Sequence, residues 1–202
     1  MMKAIETHYA GCRFRSRLEA RWAHFMDLMG IPWEYEHEGW ELPSGRYLPD
    51  FRLPRAKVHL EIKGEFPTRR EVSLSLELAS EACVDGWRFR MLAGDIPRSP
   101  SYAPGMPNIP TLPCFIAVAR KIPVERIEPL EAVLQDRHGV RLGKLKGFTV
   151  DPEAYKGISI ENWILKRAFW NAEWTAQDVS AALTKARSVR FEHGETPGQP
   201  RR

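Results

Sequence analysis

The spacing of apolar and polar residues changes several times along the 202-residue chain, and each change marks a predicted element. Phe14, Leu18, Trp22, Phe25 and Met29 recur three and four apart, with Arg13, Arg17, Arg21 and His24 largely off that stripe, which predicts an amphipathic helix. Ser16 and Glu19 have capping-box spacing at its start, and Gly30 with Pro32 ends it. Residues 1–11 read as a loosely held lead-in. Trp33-Glu34-Tyr35-Glu36 alternates as a strand does, and Pro43-Ser44-Gly45-Arg46 reads as a turn. Val58, Leu60 and Ile62 then alternate with His59, Glu61 and Lys63. Such a strand buries its apolar set and turns Glu61 and Lys63 out together on the other face, roughly 7 Å apart along the backbone. Pro49 cannot donate to a ladder, so a bend is expected at Asp50 that exposes its carboxylate.

Further on, Thr68 is placed to cap a helix reaching about Cys83, with a stripe of Val72, Leu74 or Ser75, Leu76, Ala79 and Cys83, stopped by Gly86. Trp87 to Ala93 alternates again, so the helix becomes a right-handed crossover to a strand parallel to residues 58–63. Six prolines between Pro97 and Pro113 predict an extended excursion, a loop or a strap packed by Tyr102 and Met106. Residues 115–119 suggest one more strand and 127–135 a short helix. Residues 141–150 suggest a hairpin, and 160–170 and 175–191 two helices. Val179, Ala182, Leu183, Ala186 and Val189 form the packing stripe of the last helix, and a disordered tail is expected from about 194. The chain reads as one α/β domain: residues 1–96 form the core, and residues 97–202 pack on it as a Pro-rich excursion with a strand and C-terminal helical additions.

Composition narrows the class. Hydrophobic residues at 43% and charged residues at 28% are globular values, and no apolar run approaches the roughly 20 residues of a membrane span. The N-terminal residues lack an apolar signal core, so a cytoplasmic location with no membrane partner is expected. Cys12, Cys83 and Cys114 are odd in number and form no Cys-x-x-Cys pair, which predicts reduced thiols and no zinc ribbon. The formal net charge of +4 and pI near 9.0 permit a nucleic-acid partner without requiring one. No Gly-x-Ser-x-Gly, phosphate-binding Gly-rich loop or His-Glu-x-x-His occurs.

Two carboxylates converging beside a lysine form a hard oxygen site for a divalent cation, with an ammonium left to hold a water or a phosphate. Pro49-Asp50, ten residues, then Glu61-Ile62-Lys63 resembles the signature of the PD-(D/E)XK nuclease superfamily. The run from Phe14 to Ala23, the Trp-Glu-Tyr-Glu strand, Pro-Asp and Glu-x-Lys together resemble its phage and bacterial endonuclease-like branch, over about residues 9–95. The resemblance implies a restriction-endonuclease-like core with a mixed central sheet flanked by helices. It also implies Mg²⁺ (or Mn²⁺) held by Asp50, Glu61 and the Ile62 carbonyl, with Lys63 orienting the attacking water. By the same resemblance Glu19 is a further ligand, direct or through water, whereas by spacing alone it is equally the capping residue of the first helix. A Gln-x-x-x-Tyr motif of exonuclease-like branches is missing.

The expected function is metal-dependent endonucleolytic hydrolysis of DNA, with RNA, the oligomeric state and a homodimer left open. The alternative is a catalytically inactive nucleic-acid-binding or scaffold domain of the same fold. Arg15, Arg46, Arg52 and Lys57 flank the motif as candidate phosphate contacts, as do Lys144 and Lys146 in the basic segment and Lys185, Arg187 and Arg190 on the last helix. Trp163, Phe169, Trp170 and Trp174 suit base stacking less well than core packing.

Overall fold

The computed structural model describes residues 5–65, 67–98, 101–103, 106–111, 116–118, 148–149 and 175–191. The sequence expectations for 127–135, most of 141–150, 160–170, the four aromatics between 163 and 174, and the tail from 194 lie outside these residues. The described part is a mixed α/β structure. A hairpin of β1 (Thr7–Tyr9) and β2 (Cys12–Phe14) leads into α1 (Arg17–Leu28), followed by β3 (Glu34–Tyr35). Strands β4 (Trp40–Leu42), β5 (Gly45–Tyr47), β6 (Phe51–Leu53) and β7 (Val58–Lys63) come next. Helix α2 (Arg69–Ala82) and a short 3-10 turn precede β8 (Arg88–Ala93). Beyond them lie β9 (Ser101–Ala103), β10 (Met106–Thr111), β11 (Ile116–Val118), β12 (Phe148–Thr149) and α3 (Ala176–Ser188).

Six strands form one mixed sheet in the order β12-β11-β8-β7-β6-β3. The pair β7 and β8 is parallel, with Glu61 opposite Met91 and Lys63 opposite Ala93, and the neighbouring pairs are antiparallel. The parallel pair requires a crossover, and α2 supplies it as the amphipathic pattern predicts. Phe51, Leu53, Val58, Leu60, Ile62 and Leu92 pack on one face against α1 and α3, through Trp22, Phe25, Met26, Val179, Leu183 and Ala186. Phe89 and Met91 pack on the other face against Val72, Leu76, Leu78 and Ala79 of α2.

Three expectations change. Residues 7–14 are a paired hairpin rather than a loose lead-in, because Tyr9 and Phe14 are buried in the α1 core. The Pro-rich segment carries a two-stranded ladder, β9 with β10, whose register shifts between Met106 and Pro110, where proline removes donors. The polar face of β7 is not wet: His59 is 4% exposed and Glu61 2%. The β4–β5 hairpin lies over that face, with Trp40 and Trp87 against His59 and Tyr47 on Glu61, and it also packs on α2, where Ser44 bonds Glu77 and Tyr47 bonds Ser75. That second layer explains why α2 is buried from Val72 to Ser80, well beyond its apolar stripe.

Candidate active site

The carboxyl ends of the parallel strands β7 and β8, the start of β6 and the N-termini of α1 and α2 meet at one end of the sheet. Ligand sites in open α/β sheets favour such a place. The chain bends at Asp50 after Pro49, as expected, but Asp50 is 2% exposed rather than open to solvent. Its Oδ2 accepts the Ile62 N–H at 2.7 Å, and its own N–H donates to Glu61 Oε2 at 3.3 Å. The side chain thus replaces the rung that β6 no longer provides. Ile62 N–H faces the β6 side, whereas the Lys63 carbonyl accepts from Gly94 N–H on the β8 side at 2.8 Å. Alternation along the strand therefore turns the Ile62 carbonyl toward Asp50.

Two cationic side chains hold the carboxylates. Arg15 Nη2 lies 2.7 Å from Asp50 Oδ1, and Lys63 Nζ lies 2.8 Å from Glu61 Oε1. Lys63 also reaches Glu71 Oε1 at 3.0 Å, and Arg15 Nε reaches Glu36 Oε1 at 2.7 Å. Asp50 is held well above the usual carboxylate range by burial, then by the charges of Glu61 and Glu19, against the Ile62 N–H and Arg15. Burial likewise raises Glu61, against Lys63, a Tyr47 hydrogen bond and the Asp50 N–H. For Lys63, burial opposes the charge but Glu61 and Glu71 outweigh it, pushing the ammonium up to about 12. Lys63 therefore keeps its proton at neutral pH.

Glu19 lies in the first turn of α1, where Ser16 makes the cap and the Glu19 carboxylate, expected to bond the Ser16 N–H, turns to other donors. Its N–H donates to Ser16 Oγ at 3.2 Å, which caps α1. Its carboxylate accepts from Ser16 Oγ at 2.6 Å, Tyr35 Oη at 2.6 Å and the Arg15 N–H at 3.2 Å. The side chain is buried, its charge acts on Asp50, and its oxygens are engaged by donors of the chain.

The remaining basic candidates are dispersed. Arg46 is exposed and paired with Glu41. Arg52 bonds Glu34 at 2.6 Å and stacks over Trp87 at 4.5 Å, and Lys57 sits at the opposite end of β7 from Lys63. Lys185 and Arg190 are exposed around α3, and Arg187 is tied to Asp95 at 3.0 Å. Lys144 and Lys146 lie outside the described residues. Sequence reading did not single out Tyr35, Glu36, Tyr47 or Glu71 for the site. Only Glu71 carried a local signal, its capping-box spacing from Thr68, whose N–H donates to it at 2.7 Å.

A hard divalent cation requires oxygen donors, and two buried carboxylates with one main-chain carbonyl converge here. Their mutual repulsion in a desolvated place is what such an ion relieves, so the residues fit it. Among the described residues no group of three or more His, Cys, Asp or Glu side chains is arranged to hold a metal. No helix among them is long and apolar enough to cross a membrane. Comparisons with protein-family models, curated proteins and solved structures found no match.

Proposed function

We propose that this chain is a metal-dependent nuclease with a restriction-endonuclease-like core, an endonuclease that hydrolyses phosphodiester bonds in DNA with Mg²⁺ or Mn²⁺. One observation carries the reading: Asp50 and Glu61 are both buried at the carboxyl end of β7, main chain to carboxylate, with the Lys63 ammonium at their mouth. Fully buried acids are rare without a compensating partner or a task, because desolvating a charge is expensive.

Asp50, Glu61 and the Ile62 carbonyl would hold the cation, with Glu19 as an outer member that acts through its charge and through Tyr35 and Arg15. When bound, the ion lowers the pKa of a water and offsets the charge that grows on the phosphate. Lys63, an ammonium throughout, donates hydrogen bonds that orient the water and the scissile phosphate. The water oxygen would form the new bond to phosphorus as the bond to the leaving oxygen breaks, with the water's proton lost to solvent and the leaving oxygen protonated from solvent. Among the other basic candidates Arg15, 56% exposed at its side chain and bonded to Asp50, is the one best placed for a phosphate.

Incubating purified protein with Mg²⁺ or Mn²⁺ and linear, single-stranded, branched and supercoiled DNA, with RNA alongside, tests the reading. Cation-dependent cleavage of DNA is expected, and no cleavage of any substrate overturns it. The competing reading, an inactive nucleic-acid-binding module, draws support from Arg15 and Lys63 already neutralising the two carboxylates within the chain. It predicts DNA binding that weakens with salt, by a slope near −0.9 per phosphate contact, and no hydrolysis.

A further inference from the structure

Each cation that neutralises a central carboxylate also touches a second carboxylate outside the pair. Arg15 bridges Asp50 and Glu36, both at 2.7 Å, and Lys63 bridges Glu61 at 2.8 Å and Glu71 at 3.0 Å. The inner members are buried, with side-chain exposures of 3% each, while Glu36 is 28% and Glu71 34% exposed. An ionised carboxylate is far easier to leave in water than in the interior.

The Glu36 main chain and the Glu71 carboxylate are each held by contacts other than their cations. Glu36 adopts φ +45, a left-handed conformation uncommon outside glycine, and its N–H donates to the Asp50 carbonyl at 2.9 Å. Its main chain is thereby anchored to the same residue whose carboxylate Arg15 holds. Glu71 accepts from Thr68 N–H at 2.7 Å and Thr68 Oγ1 at 2.8 Å at the start of α2. The Arg15 N–H is held by Glu19 and Tyr35, and its guanidinium reaches Asp50, Glu36 and Tyr35, so a shift of Arg15 falls to the guanidinium.

Resting on the nuclease reading, we propose that Glu36 and Glu71 are positioning residues that receive Arg15 and Lys63 when a divalent cation takes Asp50 and Glu61. The chain's own cations neutralise the buried pair in the ion-free protein. They step outward by one contact as the ion enters, and remain at its rim facing a phosphate. Without an outer carboxylate, the cation's charge holds more tightly to the inner one, and the ion must compete with it harder.

A thermodynamic cycle read by calorimetric Mn²⁺ titration tests this. Glu36→Gln should weaken Mn²⁺ binding about tenfold, which corresponds to about 1.4 kcal/mol. In an Arg15→Ala background the same substitution should change it less than twofold, because there is no guanidinium left to receive. Glu71→Gln keeps an acceptor for the Thr68 cap and should weaken Mn²⁺ binding in the same way, with the effect vanishing beside Lys63→Ala. Thermal melts establish that each variant is folded. If Glu36→Gln and Glu71→Gln weaken binding equally with and without their cationic partners, they act by charge alone and the inference is overturned while the nuclease reading stands. If wild-type protein does not bind Mn²⁺, both fall.

Discussion

Arg46 with Glu41 and Arg15 with Asp50 are both arginine–carboxylate pairs joining neighbouring segments, yet they differ in solvent. The first pair, across β4 and β5, has side chains 88% and 82% exposed, whereas the second sets a 56% exposed guanidinium on a 3% exposed carboxylate. A pair in water contributes little to stability and leaves each member free to exchange partners. Burying one carboxylate beside another carries a desolvation cost that a single arginine does not cancel. The difference separates a solvated surface from a place where the fold holds charge at the expense of its own stability.

The largest effect should come from removing the buried acids. Asp50→Ala or Glu61→Ala should abolish metal-dependent cleavage in a nicking assay while circular dichroism shows an intact fold. Retained cleavage would reduce the buried pair to the status of Arg46 and Glu41. Next comes Lys63→Ala, expected to lower the cleavage rate by on the order of 10²–10³, as for loss of one preorganised donor. Single-turnover kinetics measure it. Lys63→Arg should restore the rate only in part, since a planar fork does not reproduce a compact ammonium.

The same strand face offers a test without metal. His59 is lowered to about 4 by burial, then by Arg52 and His37, and is packed against Trp40 and Trp87. It is neutral in the folded chain. Its contribution of about 3 kcal/mol is complete above the unfolded value near 6.5 and is lost as pH falls from 6.5 toward 4. Denaturant melts of wild type and His59→Gln between pH 7.5 and 4.5 should show the wild type losing more stability than the variant on acidification.

Asp50 has the opposite sign. Because its folded pKa is raised, its stabilising contribution is present below the unfolded value and lost as pH rises through the folded one. Asp50→Asn should therefore stabilise the ion-free protein at pH 7, by a modest net amount since the charge-assisted bond from Arg15 is lost with it. A fall in stability would mean that Arg15 more than repays the burial. Smallest of all, Arg46→Ala should leave stability within about 0.5 kcal/mol.

Much of the fold was legible because period and punctuation agreed. The stripe around Trp22 and Phe25, the Ser16 cap, the alternation of Val58, Leu60 and Ile62, and the α2 crossover to β8 each depend on local sequence. The convergence of Asp50, Glu61 and Lys63 followed from parity along one strand and a proline bend beside it. What escaped depends on layers. Alternation cannot distinguish a face that meets water from one covered by the β4–β5 hairpin, so the burial of His59 and Glu61 was not foreseen. Nor could spacing reveal that the β4–β5 hairpin would lie over α2, or that Glu36 and Glu71 would share Arg15 and Lys63 with the central acids. Those contacts join residues whose side chains meet only once the sheet is assembled.

The central claim, that Asp50 and Glu61 are buried together in order to hold a divalent cation, is tested most directly by calorimetric titration of the purified protein with Mn²⁺. Wild-type protein should bind with a saturable heat that Asp50→Ala abolishes and Arg46→Ala leaves unchanged. Indistinguishable titrations of wild type and Asp50→Ala would contradict the account.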